Sequence, residues 1–436
     1  MFIINYTDEN DFLKKSSRPA SKTAEIEPIV KNVLENVKTN GDKALRELSE
    51  KFDGSCPESF LVSEKEFEAA EKEVPEDLKA AINIAKENIE KFHKAQLQSE
   101  IKKVETSKGV VCWQKAVGIE KVGIYIPGGN APLFSTVLML AIPAKLAGCK
   151  EIVLCSPPRS GGNINSVVLY CAKLLGVTKV FKIGGAQAIA AMAYGTESVP
   201  KVFKIFGPGN RFVTVAKQLV SSSETAIDMP AGPSELAVIA DENTNAVYAA
   251  ADLLSQCEHG SDSQVGLFVS SKDKMAEIIA EAERQLELLP RKDAAKKSFE
   301  NSFAVLTKDG FESVKLTNLW APEHLVINTD NALQLSENVV NAGSVFIGKY
   351  ACESAGDYAS GTNHTLPTCR AANAYSGLNM DSFTKKITFQ TISEEGIFNI
   401  GNAIETMAAA EDLFAHKNAV TVRLKKIAHR NAIMEK

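Results

Sequence analysis

The strongest constraint on the fold is an alternation that begins near residue 122: a short β-branched run, a glycine or proline turn, then an alanine-rich amphipathic helix. Residues 122–126 lead into Pro127-Gly128-Gly129, and the spacing predicts a helix over 135–147 with Gly148 as its C-terminal cap. Runs at 152–155, 180–183, 204–206 and 236–239 repeat the plan. Such an order predicts an α/β fold, parallel sheet joined by right-handed crossovers, and argues against a β-sandwich. Ahead of it, residues 24–98 read as helices, with Val30, Val33, Leu34 and Val37 at helical spacing and Gly41 and Gly54 as punctuation. Further on, 272–297 reads as a charged surface pair of helices broken at Pro290.

Composition narrows the function. A chain of 436 residues, 44% hydrophobic and 24% charged, has the usage of a folded protein of about two to four domains. With 49 basic against 54 acidic residues the net charge of -5 is too weak, and of the wrong sign, for affinity built on phosphate backbones. Nucleic acid is therefore not the expected partner. Residues 1–15 have neither a basic n-region nor an apolar h-region, and the most apolar stretch, 136–144, is short of the roughly 18–20 residues that span a bilayer. No membrane association is expected. Eight cysteines are scattered without a C-x-x-C pair, which suits reduced thiols in a cytoplasmic protein.

Three glycine clusters fall where parallel strands end: Pro127-Gly128-Gly129-Asn130, Gly184-Gly185-Ala186-Gln187 and Gly207-Pro208-Gly209-Asn210. Crevices at the carboxyl ends of such strands, next to helix N-termini, suit phosphate and ribose. None of the three matches G-x-G-x-x-G, because Phe212 stands where the third glycine belongs after Gly207 and Gly209. Tight turns without a ligand and a nucleotide site both remain open on spacing alone.

Four constellations carry chemistry. Gln256 and His259 are three residues apart at the end of a helix begun near Thr244, close enough to grip one metal ion; a histidine that only meets its helix C-terminus is the alternative. Glu323-His324 stands behind Pro322 at the start of an apolar strand. As strand neighbours the two would face opposite ways, so joint action requires a loop position. The small-residue stretch 353–364 carries Asp357 and His364, suited to zinc, manganese or iron, or else is a plain turn cluster. In the last helix, expected from about Asn402, Glu411 and His416 do not share a face if it is straight, so either it breaks between them or one is a surface residue.

Together these segments resemble the histidinol dehydrogenase family. The resemblance rests on IDMPAGPSELAVIAD (227–241) and ADLLSQCEHGSDSQ (251–264), with GIYIPGGNAPLFSTVLMLA, GGAQAIAA, KIFGPGN, APEHL, SAGDYASGTNHTLPT and AAAEDLFAHKNAV, and covers nearly the whole chain. It is weakest at Asn130 and at Cys369-Arg-Ala-Ala-Asn, where many members are richer in glycine. The resemblance implies two Rossmann-like parallel-sheet domains with helical N-terminal additions and a small C-terminal helical extension. The first domain would span 20–124 plus 236–378 and the second, NAD-binding, 125–235; 379–436 would reach a partner subunit and 1–19 would be an N-terminal extension.

The same resemblance implies one zinc ion per subunit on Gln256, His259, Asp357 and His416, and Glu323 and His324 as the catalytic pair. It implies substrate contacts from Ser234, Gln256, His259, His324, Asp357, His364, Glu411 and His416, and NAD contacts from Tyr125, Gln187 and Asn210. Family members oxidise L-histidinol to L-histidine with two NAD, through an aldehyde that stays on the enzyme, and are homodimers with shared active sites. His324 would serve as base in both oxidations and Glu323 would help to activate water. His93 and His429 acquire no role.

Overall fold

The computed structural model describes residues 1–18, 23–54, 56–97, 100–128, 133–159, 161–223, 225–229 and 232–434. Gly129 and Asn130 of the first glycine cluster lie outside them. The chain forms two compact units, one of residues 1–96 and 119–383, the other of 97–118 and 384–436.

The larger unit holds two parallel sheets. Strands Phe2–Ile4, Phe303–Leu306, Gln264–Val269, Glu235–Ala240, His324–Asn328 and Ser344–Ile347 lie side by side in that order. The second sheet runs Lys179–Lys182, Glu151–Ser156, Lys121–Tyr125, Lys204–Phe206, Ala226–Ile227. With the edge strand Phe2–Ile4 set aside, both sheets have the same order in chain sequence, 3-2-1-4-5. In each the winding reverses beside the first strand, Glu235–Ala240 or Lys121–Tyr125, and a reversal of this kind opens a crevice.

Burial explains why these strands read as apolar runs. All six residues of Glu235–Ala240 are buried. Leu236, Val238 and Ala240 face one layer, with Ala249 and Leu253 of the helix Ala246–Cys257 and Ile278 of the helix Lys272–Leu286. Ala237 and Ile239 face the other, with Phe12, Phe303 and Trp320. A strand covered on both faces has no polar side to alternate with. The helix Thr23–Asp53 covers the second sheet through Val30, Leu34 and Val37, packed with Ile189 and Met192, and turns at Gly41, whose φ of 53° suits glycine. Helices Lys272–Leu286 and Lys292–Glu300 flank Pro290, the pair the charge pattern predicts.

The smaller unit is an antiparallel sheet of Thr384–Ile392, Val110–Gly118 and Lys103–Ser107, with Trp113 stacked on Phe389, and two helices, Glu394–Ala410 and Phe414–Met434. Helix one starts earlier than the sequence suggests, capped by Ser393, and the break falls between Glu411 and His416, where Asp412 has a φ of 56°. Among the described residues no helix is long and apolar enough to cross a membrane.

Candidate active site

Parallel strands need crossovers, and a crossover helix carries the chain back to the edge where its strand began. The amino edge of the six-stranded sheet therefore collects helix C-termini and strand starts. Here the helix Ala246–Cys257 returns Gln256 beside Glu235, and the helix Gly310–Trp320 stops in a left-handed Ala321 (φ 51°) just before Glu323 and His324. His324 is the first residue of its strand and Glu323 lies ahead of it, so the alternation that would separate the two side chains does not apply. His259 sits in the turn after the helix has ended at Cys257, exposed at the crevice, and not on a continued helical face.

Backbone groups of Glu235 orient the Glu323-His324 pair. Its N–H donates to Glu323 Oε2 (3.0 Å), and its carbonyl accepts from His324 Nδ1 (3.2 Å). Since a carbonyl only accepts, Nδ1 carries a hydrogen in either charge state, and Nε2 is the nitrogen that can gain or lose a proton. Nε2 is buried and makes no hydrogen bond to a described residue; Asp357 Oδ1 lies 3.5 Å away. Glu323 Oε2 and Glu353 Oε1 each lie 3.7 Å from Nδ1. Burial alone would strip the imidazole of its proton, but the carboxylates of Glu353, Glu323 and Asp357 outweigh it and raise the His324 pKa to about 10. Burial raises Glu323 to about 8, against the opposing pull of His324 and of the Glu235 N–H.

Glu353 and Asp357 are four residues apart on the short helix Glu353–Tyr358 and so share its face. Glu353 accepts from Ser255 Oγ (2.9 Å), and burial lifts its carboxyl to about 7. With its amide turned to satisfy both neighbours, Gln256 donates to Glu353 and accepts from the Glu235 N–H at 2.9 Å. Ligand atoms of His259, Glu353 and Asp357 all lie within 4.8 Å of one another. One nitrogen and two carboxylates form a donor set that zinc accepts.

His364 closes the other side of this crevice. Its Nδ1 donates to the Asp357 carbonyl (2.9 Å) and its Nε2 meets Thr136 Oγ1 (3.2 Å), on the helix Ser135–Leu146 of the second sheet. Asn363, next to it, donates to the Met139 carbonyl (2.7 Å) and lies 3.4 Å from Nε2 of buried His93, which bonds Ile89 through Nδ1. Ser234 is half-buried, one residue before the strand that begins at Glu235. Glu411 and His416 are exposed residues of the smaller unit.

The second sheet uses its carboxyl edge. Tyr125 ends its strand, nearly buried, and its hydroxyl accepts from the N–H of Gly185, at the start of the helix Gly185–Tyr194 that also carries buried Gln187. Burial raises the Tyr125 phenol to about 12, so it stays protonated. Gly207 has a φ of 120°, and a Cβ there would meet the Tyr125 carbonyl oxygen at 2.1 Å. Its N–H donates to Asp228 (2.8 Å) and its carbonyl accepts from Lys217 (2.8 Å), which pairs in turn with Asp228. Exposed Asn210 spends its side-chain oxygen on the N–H groups of Phe212 and Val213, capping the helix Arg211–Ser221.

The family described as Histidinol dehydrogenase matches residues 16–424. The chain belongs to that family. Membership of a dehydrogenase family makes it an oxidoreductase. It is 58% identical over 427 residues to the histidinol dehydrogenase of Bacteroides fragilis strain YCH46, covering 98% of this chain and 100% of that protein. A Campylobacter jejuni relative of the same name, strain RM1221, is 51% identical over 430 residues, 98% of this chain and 99% of its own length. The crystal structure of histidinol dehydrogenase from Elizabethkingia anophelis superposes with a TM-score of 0.96 at 49% identity, covering 98% of this chain and 99% of that one.

Three participants escaped the sequence reading. Glu353 could have been found from its four-residue spacing to Asp357 on a helix. Glu235 heads an apolar strand, where an acid ordinarily reads as the solvated end of the run. Arg18, which binds Glu235 (2.8 Å through each of two nitrogens), has no local signal at all.

Proposed function

We propose that the chain oxidises L-histidinol, through an enzyme-held L-histidinaldehyde, to L-histidine, with two NAD and a bound zinc ion, at the end of histidine biosynthesis in the cytoplasm. The observation that carries the reading is the juxtaposition at the amino edge of the first sheet: an imidazole with Nδ1 fixed by a hydrogen bond and Nε2 making none among the described residues, 3.5 Å from Asp357, beside a carboxyl poised near neutrality and a three-residue donor cluster. Supported by the family membership, Gln256, His259, Asp357 and His416 are the zinc ligands of this proposal, and Glu353 adds a carboxylate aimed at the same point. Glu411 and His416 would come from the C-terminal segment of a second copy in a homodimer with shared sites. When bound, zinc would hold and orient the substrate, and NAD would accept one hydride in each oxidation.

The residues then divide the work. His324 Nε2 takes the hydroxyl proton as the carbinol carbon loses its hydride, which balances the first oxidation. A cation held by Glu353 and Asp357 would offset much of the field that otherwise keeps the proton on His324, as a base at neutral pH requires. Glu323 receives a proton from the water that adds to the aldehyde carbon while His324 returns the proton it took to the former carbonyl oxygen, which completes the hydrate and leaves His324 a base again; a carboxyl raised to about 8 can take up a proton and release it to solvent near pH 7. His324 acts again on the resulting hydrate. Ser234 and His364 line the substrate, and Tyr125, Gln187 and Asn210 stand at the glycine turns proposed for NAD.

The test is stoichiometric. Zinc-loaded protein given limiting L-histidinol and excess NAD should form two NADH for each histidinol consumed. One NADH, with aldehyde released, or none, would overturn the four-electron reading.

A further inference from the structure

Glu235 puts its side chain at 0% exposure, deep under the amino edge of the first sheet. A carboxylate taken out of water needs partners on every side. It has three hydrogen bonds: Arg18 Nε to Oε1 and an Arg18 terminal nitrogen to Oε2, both 2.8 Å, and the Cys369 N–H to Oε1, also 2.8 Å. Cys369 offers that N–H from a left-handed turn (φ 54°), followed by Arg370 at φ 65°. The Arg18 guanidinium also lies 4.4 Å from the Trp320 ring centroid and donates to the Trp320 carbonyl at 2.7 Å. Trp320 is fully buried and ends the helix that delivers Glu323 and His324.

One cation thus ties together the two chain segments whose relative placement sets the catalytic geometry: the strand start at Glu235 and the helix end at Trp320. A planar fork grips a carboxylate with two separate nitrogens and a carbonyl beside it in one fixed geometry; an ammonium, with its three donors on a single nitrogen, does not match that spacing. The N-terminal residues bring it there, anchored by the strand Phe2–Ile4, by buried Phe12 and by the Ser16 carbonyl, which accepts from Trp320 Nε1 at 3.1 Å. Glu235 in turn presents its N–H to Glu323 and its carbonyl to His324 Nδ1.

We propose that Arg18 is a positioning residue for the reaction: by clamping the Glu235 side chain it fixes the peptide groups that orient Glu323 and hold His324 with Nε2 free. The proposal rests on the reading of His324 as the proton acceptor. Arg18 itself touches neither member of the pair through any hydrogen bond among the described residues, so its effect must pass through Glu235. Displacing a reacting group by about 1 Å is enough to cost roughly 10²-fold in rate.

The experiment compares Arg18→Met, Arg18→Lys and His324→Asn with the parent zinc enzyme, reading kcat and KM for L-histidinol, zinc content and the ring-nitrogen NMR shifts of 15N-labelled histidine. Arg18→Met should lower kcat by about 10²-fold, well beyond any change in KM or zinc content passed on through Gln256, which shares the Glu235 N–H, and added guanidinium, but not methylammonium, should restore part of the loss. Should that variant not fold, Arg18→Lys keeps the charge without the fork and should show a smaller fall in kcat together with loss of the Nδ1-protonated signature of His324. Parent-like kcat in the folded variants, or a loss that follows zinc or KM, overturns the positioning role. If His324→Asn keeps turnover, the base reading fails first; if it is dead while the arginine variants are parent-like, only the positioning role falls.

Discussion

The two parallel sheets share one strand order and use opposite edges. In the first, Glu235, Glu323 and His324 crowd the amino ends of strands, joined by Gln256 from a returning helix. In the second, the glycine turns after Tyr125, Ile183 and Phe206 occupy the carboxyl ends. The difference teaches that strand order locates a crevice without deciding its chemistry. An amino edge gathers helix C-termini, whose carbonyl ends favour cations; a carboxyl edge gathers helix N-termini, whose N–H groups favour phosphates. Metal-binding and proton-handling groups suit the first edge, and a dinucleotide suits the second.

Breaking either edge separately sharpens the comparison. The largest effect should come from His324→Asn: kcat for both oxidations falls by about 10⁴-fold, the upper range for a lost proton acceptor, with zinc and NAD binding kept. Steady-state kinetics with metal analysis checks it. Next is Lys217→Met, which leaves Asp228 buried without its partner beneath the Gly207 turn; breaking a buried pair on one side costs about 3–5 kcal/mol, read by denaturant unfolding. Gly207→Val follows. Its added carbons meet the Tyr125 carbonyl in a backbone conformation that L-residues avoid, about 1–3 kcal/mol of strain, seen as a roughly ten- to hundredfold rise in KM for NAD with histidinol affinity kept.

The smallest effect lies within the larger unit, where buried His93 supports Asn363 beside His364. Burial lowers the His93 pKa from 6.5. The unfolded chain therefore binds a proton that the folded one resists, and stability present above pH 6.5 is lost as pH falls below it. His93→Gln should make that acid loss shallower; an unchanged slope in denaturant midpoint against pH would remove His93 from the account.

Much of the fold was legible because its signals are local. Runs such as 236–239 and 180–183 are apolar throughout since both faces of their sheets are covered, and the turns between need glycine. His259, Glu323, His324, Asp357 and His364 could be picked out because charged or imidazole groups inside small-residue or apolar stretches are conspicuous, although their roles came from the family resemblance. The edge of the sheet on which they meet was not legible, since it follows from the direction of crossover helices and not from spacing. Nor was the Glu235–Arg18 pair, 217 residues apart in sequence: at its own position each looks like an ordinary solvated charge. The break at Asp412 resolved one ambiguity that periodicity left open, placing Glu411 and His416 on either side of a helix junction.

Division of labour between the edges is the central claim, and equilibrium titration of NAD into His324→Asn and Gly207→Val proteins tests it most directly. The account predicts parent-like NAD affinity in His324→Asn and weakened affinity in Gly207→Val. Weakened binding in the first with parent-like binding in the second would contradict it.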